Sequence, residues 1–127
     1  MRYLLDTCAL IWLGMGGGDL SADAKRRITV ASSLHYSSIS VWEIARLQKE
    51  GKVVIPVDAE EFLADLTELY GLSAIPPNDD IMLRATNLPD FHKDPADRII
   101  ISTGLISGMS IVTGDGKFSQ YGVKTIC

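Results

Sequence analysis

The chain has 127 residues, 46% hydrophobic and 22% charged, which suits one compact domain spanning 1–127 and excludes disordered, collagen-like and low-complexity classes. Its net charge of −4 argues against the broad basic face that holds DNA by charge alone, but not against an enzyme that meets phosphates through bound cations. Two cysteines, Cys8 and Cys127, and two histidines without zinc-like spacing exclude a zinc site and a disulfide framework.

The run from Arg2 to Leu13 faintly resembles a signal peptide, but Asp6 interrupts it and the remainder is too short for a targeting core. Leu5-Asp6-Thr7-Cys8 carries the wrong residues before its cysteine for lipoprotein cleavage. No apolar stretch approaches the ~20 residues of a membrane span, so the cytoplasm is the expected location.

In chain order, Tyr3-Leu4-Leu5 predicts a buried strand ending at Asp6-Thr7. Residues 8–13 begin a helix that Gly14 to Gly18 break, and Ser21 caps a helix running to about Ala31. Leu34 to Ser37 is a second strand, and Ser40 opens a helix to about Glu50, closed by Gly51. Asp58 starts another helix, with Phe62, Leu63, Leu66 and Leu69 at helical spacing and Gly71 as its stop. Leu72 to Ile75 is a strand, Asn78 to Asn87 a helix and Leu88 to Asp94 a loop. Pro95 begins an apolar helix carrying Ile99, Ile100, Ile101, Leu105 and Ile106 and ending at Gly108. Ser110 to Thr113 and Val123 to Ile126 are the last strands. Strands alternating with helices predict an α/β sandwich with a parallel sheet and helices on both faces.

Sites in such sheets form at the carboxyl ends of strands. Asp6 ends the first strand, and Asp115 follows Ile111-Val112-Thr113 by two residues. Glu43 falls in the first turn of the helix after the second strand, and Asp97 in the first turn of the Pro95 helix. Four crowded carboxylates repel unless protons or cations intervene, and hard divalent cations prefer oxygen ligands. The cluster therefore suits Mg²⁺ or Mn²⁺, which can activate water against a phosphodiester.

Each acid also has a structural use. Asp6 can cap the helix starting near Cys8, and Ser40-Val41-Trp42-Glu43 fits a capping box. Asp94 reads as an N-cap before Pro95, Asp97 suits the helix dipole, and Asp115-Gly116 is a common turn pair.

Four blocks together resemble the PIN domain, and most of all the VapC-type toxins of bacterial toxin–antitoxin pairs. They are Leu5-Asp6-Thr7-Cys8-Ala9-Leu10-Ile11-Trp12, Ser38-Ile39-Ser40-Val41-Trp42-Glu43-Ile44, Asp94-Pro95-Ala96-Asp97-Arg98-Ile99-Ile100-Ile101 and Val112-Thr113-Gly114-Asp115. The resemblance implies a Rossmann-like three-layer α/β/α fold and an Mg²⁺- or Mn²⁺-dependent ribonuclease. It makes Asp6, Glu43, Asp97 and Asp115 the catalytic and metal-holding acids, with Thr113 as a nearby hydroxyl. Homodimers and a cognate antitoxin covering the active site are implied by the resemblance alone. Cys8 stands where close relatives often carry His or another residue, and no role is assigned to it. Asp94 is an additional, supporting acid. His92, Lys93, Arg98 and Lys117 are candidates to meet RNA phosphates, with an ordinary solvated side chain as the alternative for each.

Other readings fit less well. A haloacid-dehalogenase pattern needs a second Asp two residues after Asp6, where Cys8 stands. A receiver domain needs an acidic pair and a mid-chain phosphoacceptor. Gly14-Met15-Gly16-Gly17-Gly18-Asp19 lacks the last glycine of a dinucleotide fingerprint, and there is no Walker A lysine. The remaining alternatives are a catalytically silent PIN-like binding module, which usually loses members of the quartet, and an RNA-processing nuclease that is not a toxin.

Overall fold

A computed structural model describes residues 1–127. Five strands, β1 (Arg2–Leu5), β2 (Ser33–Ser37), β3 (Leu72–Ile75), β4 (Ser110–Val112) and β5 (Thr125–Ile126), form one sheet in the order β3-β2-β1-β4-β5. Every pairing is parallel, as helical crossovers require. The helices are α1 (Thr7–Gly14), α2 (Ala22–Val30), α3 (Ile39–Lys49), α4 (Ala59–Tyr70), α5 (Asp79–Asn87) and α6 (Pro95–Ser107), with a 3₁₀ turn at Phe118–Tyr121.

Alternation along β1 divides the interior. Tyr3 and Leu5 join Leu10, Ile44, Phe62, Leu63 and Leu66 on the face covered by α1 to α4. Leu4 joins Ile100, Ile101, Ile111 and Phe118 on the opposite face, under α6, with α5 packed beside it. Because β1 is buried on both faces, its sequence is a continuous apolar run rather than an alternating one. The result is the expected three-layer α/β/α sandwich.

Caps fix most helix boundaries. Ser21, Asp58 and Asn78 each accept a hydrogen bond from a backbone N–H three residues on, opening α2, α4 and α5. Gly71 and Gly108, at φ of 68° and 66°, close α4 and α6 in the left-handed conformation.

Elsewhere the structure departs from expectation. Helix α3 begins at Ile39, with Ser38 as an N-cap that makes no side-chain bond. Leu69 and Ile106, expected on apolar faces, are exposed. Each lies in the last turn of its helix. Strand β5 is shorter than expected, covering Thr125–Ile126 alone, although the Lys124 carbonyl already accepts from Ile111 N–H at 2.8 Å.

Helix α6 approaches β4 closely at Gly104, where an added Cβ would stand 2.7 Å from Ile111 Cδ1 and 2.9 Å from Cγ1. Ile111 is fully buried and has nowhere to retreat. Gly104→Ala should therefore destabilise the protein by about 1–3 kcal/mol through overpacking, beyond the helix propensity that alanine brings. Urea unfolding measures this, and a variant at least as stable as the parent would contradict the close approach.

Candidate active site

The chain leaves β1 toward β2 and β3 on one side, then returns to β4 on the other, so the strand order reverses beside β1. The crevice at the carboxyl ends of β1 and β4 is the usual place for a site in such a sheet. Asp6 directly follows β1, and its backbone N–H donates to the Val112 carbonyl at 3.1 Å. Thr113 and Asp115 follow β4, while α3 and α6 begin at the same edge and carry Glu43 and Asp97.

Asp97 is the electrostatic centre. Its carboxylate lies among ligand atoms of His92 and Asp115 in one group and of Glu43 and Asp94 in another, each group within 4.8 Å. Burial, followed by the charges of Asp94, Glu43, Asp6 and Asp115, pushes its pKa up to about 8. Asp6 is 4% exposed. Burial raises its pKa to about 6, against the Thr113 hydroxyl and the Ala9 N–H and with help from Glu43 and Asp115. Asp6 Oδ1 also accepts from Ala9 N–H at 2.8 Å, so this residue caps α1 as well as belonging to the acid cluster.

Glu43 lies in the second turn of α3, not the first, because the helix starts at Ile39. No capping box forms. The Ser40 hydroxyl instead hydrogen-bonds the Thr7 hydroxyl at 2.9 Å, a buried contact between the starts of α3 and α1. Burial raises the Glu43 pKa; the Thr7 hydroxyl lowers it, Asp94 raises it and Arg46 lowers it. Its Oε1 is buried and has no hydrogen-bond partner. Thr7 and Ser40 shape the site, yet sequence reading gave them no such part. Their adjacency to Asp6 and their placement three residues before Glu43 were the available signals.

Asp115 behaves differently. Burial alone would raise its pKa, but the Lys117 backbone N–H, the His92 hydrogen bond and the Lys117 charge bring it below the usual value. The Thr113 hydroxyl accepts from Asp115 N–H at 3.0 Å and shapes this loop. Asp94 Oδ1 accepts from Ala96 and Asp97 N–H at 2.9 and 3.2 Å, capping α6 while its charge bears on both Asp97 and Glu43.

Two expected phosphate contacts need correction. His92 is buried, with Nε2 at 2.8 Å from Asp115 Oδ2 and 3.0 Å from Asp97 Oδ2. Arg98, its side chain 11% exposed, turns inward and donates to the carbonyls of Ala85, Thr86, Leu88, Pro89 and His92. It is neither a solvated side chain nor a free cation. The segment after α5 has no helix or strand to satisfy its carbonyls, and one guanidinium does so. Lys93 and Lys117 remain exposed beside the acids.

The donor set is chemically coherent. Asp97 brings its carboxylate within 4.8 Å of the ligand atoms of Asp115 and of Glu43, while Asp6 lies outside both close groups and acts on Asp97 through its charge. Asp6 and Asp97 hold protons well above the normal range, and Glu43 Oε1 lacks a partner. These residues fit a hard divalent cation, which would satisfy the orphaned oxygen and relieve the repulsion.

Comparison with known proteins agrees with this architecture. The model of the PIN domain matches residues 3–124. The chain is 29% identical over 119 residues to Ribonuclease VapC22 of Mycobacterium tuberculosis, covering 93% of this chain and 90% of the relative. DNA-bound VapBC from Salmonella typhimurium superposes with a TM-score of 0.71 at 16% identity, covering 98% and 96% of the two chains. VapC20 of Mycobacterium tuberculosis, described as a toxin that cleaves the sarcin-ricin loop, superposes at 0.67 and 17% identity over 95% of each chain.

The raised acids make stability without metal depend on pH. Asp6 and Asp97 bind protons in the folded state that the unfolded chain has already released above the ordinary aspartate value of 3.8. Their stabilising effect is complete below that value and is lost as pH rises through about 6 and about 8. In EDTA, the Tm should fall across this window, and Asp97→Asn should flatten the fall. A parent Tm that climbs through the window would contradict the clustering.

Proposed function

The chain belongs to the PIN domain family, and from that premise we propose that it is a metal-dependent endoribonuclease acting as the toxin of a toxin–antitoxin pair. The observation that carries this reading is the convergence of buried and half-buried acids around Asp97, with Glu43 Oε1 lacking a partner. Asp6, Glu43, Asp97 and Asp115 would hold Mg²⁺, with Mn²⁺ able to substitute. A bound divalent ion supplies an activated water and neutralises charge on a phosphate under in-line attack.

The chain's own residues do the rest. Asp94 and Pro95 fix the start of α6 and with it the position of Asp97. Thr113 holds the loop that presents Asp115. Asp97 can retain a proton near neutral pH and must yield it before acting as a ligand. Lys93 and Lys117 are the exposed cations available for RNA phosphates. The toxin assignment is supported by likeness to Ribonuclease VapC22 and to a toxin–antitoxin complex from Klebsiella pneumoniae. A cognate antitoxin and a homodimer are part of the same proposal, with residues 1–127 acting as one PIN domain. No helix is long and apolar enough to cross a membrane, which is compatible with the proposed cytoplasmic location.

Purified protein freed of antitoxin should cleave single-stranded RNA with Mn²⁺ or Mg²⁺ and stop in EDTA. Asp97→Asn should cut the rate about 100-fold or more while the fold persists. Asp94→Ala should cost about 1 kcal/mol of stability through the lost cap and leave measurable cleavage. Cleavage in EDTA that survives Asp97→Asn would overturn the metal mechanism.

A further inference from the structure

His92 sits within the acid cluster, yet neither the expected RNA contact nor the donor set above gives it a part. Its ring is tightly held. The Asp94 backbone N–H donates to His92 Nδ1 at 3.2 Å. The ring meets Phe118 edge-on at 5.9 Å between centroids. The His92 backbone N–H donates to the Tyr121 hydroxyl at 2.8 Å, which donates onward to the Pro89 carbonyl at 2.6 Å. Arg98 also holds the His92 carbonyl at 3.0 Å.

These contacts select a tautomer. A ring nitrogen that accepts from a backbone N–H carries no proton, so the hydrogen-bond network assigns the ring proton to Nε2. That N–H reaches Asp115 Oδ2 at 2.8 Å, and the same nitrogen stands 3.0 Å from Asp97 Oδ2. The two acids arrive from different elements, Asp115 from the loop after β4 and Asp97 from the first turn of α6. No backbone pairing fixes their separation. The imidazole bridges them.

We propose that His92 is a positioning residue: through Nε2–H it holds Asp115 against Asp97 and presets the spacing of two carboxylates for a divalent cation. This rests on the metal-nuclease reading and extends it. A histidine acting as a direct ligand through Nε2 would need that nitrogen free of its proton, whereas the Asp94 N–H on Nδ1 keeps the proton there. Groups that orient metal-binding carboxylates from behind commonly alter metal affinity by about 10- to 100-fold when removed.

The test measures Mn²⁺ binding to the full chain by calorimetry, without RNA, for the parent, His92→Asn and His92→Gln. Glutamine can place an amide N–H near the position of Nε2, whereas asparagine reaches only the position of Nδ1. His92→Asn should bind Mn²⁺ about 10- to 100-fold more weakly, and His92→Gln should recover most of the loss. Melting in EDTA identifies any variant that fails to fold. With RNA, kcat of His92→Asn should fall while KM stays unchanged. In the parent, electron spin-echo spectra of bound Mn²⁺ should show no directly coordinated imidazole nitrogen, a readout that needs no variant. Parent-like Mn²⁺ affinity in folded His92→Asn, failure of folded His92→Gln to recover affinity, or direct imidazole coordination would each overturn the positioning role. A parent that binds no Mn²⁺ would instead remove the metal-nuclease reading itself.

Discussion

Carboxylates brought together away from water repel one another, and the opposing force has to come from groups that hold the backbone in place. Here Asp6, Glu43 and Asp97 all have raised pKa values, with burial the largest cause in each case. The restraints are local and identifiable. The Thr7–Ser40 hydroxyl contact ties α1 to α3, Asp94 pins the start of α6, and Arg98 gathers the carbonyls that precede it. A charge-assisted bond from guanidinium to carbonyl contributes more than a neutral one, and five carbonyls share a single planar donor. The end of α5 and the loop from Leu88 to Asp94, which has no secondary structure of its own, are thereby tied to α6 through one side chain.

Asp6 shows why a structural role and a chemical role need not compete. One oxygen caps α1 through Ala9 N–H, while burial and its acid neighbours raise the carboxyl's pKa to about 6. The cap fixes the side chain's direction, and the sheet edge decides what lies opposite. An acid after Leu4-Leu5 is tolerated because the Ala9 N–H meets it and a proton can neutralise it up to about pH 6. The Asp94 carboxylate likewise caps α6 and adds its charge to the field at Asp97 and Glu43.

The fold was legible because local signals punctuate it. Ser21, Asp58 with Gly71, Asn78, and Asp94-Pro95 with Gly108 mark helix ends by capping chemistry that operates within a few residues. Where tertiary contact prevailed, local pattern misled. Ser40-Val41-Trp42-Glu43 has the form of a capping box, but Ser40 finds Thr7, thirty-three positions away in sequence, and the helix starts earlier. The gathering of the acids at one sheet edge followed from topology. The inward turn of His92 and Arg98 did not, because nothing local distinguishes a cation facing solvent from one facing unpaired carbonyls. The irregular stretch before Asp94, rich in acceptors and poor in partners, was the available clue.

The most direct measurement is the number of protons released when Mn²⁺ is added to metal-free protein. Calorimetry in buffers of different ionisation enthalpy gives that number. Asp97 holds its proton up to about 8 and must lose it to bind a cation. Binding near neutral pH should therefore release about one proton, and the release should fade toward zero well above that pKa. Tight Mn²⁺ binding with no proton released near pH 7 would mean that the acids around Asp97 are not where the cation goes.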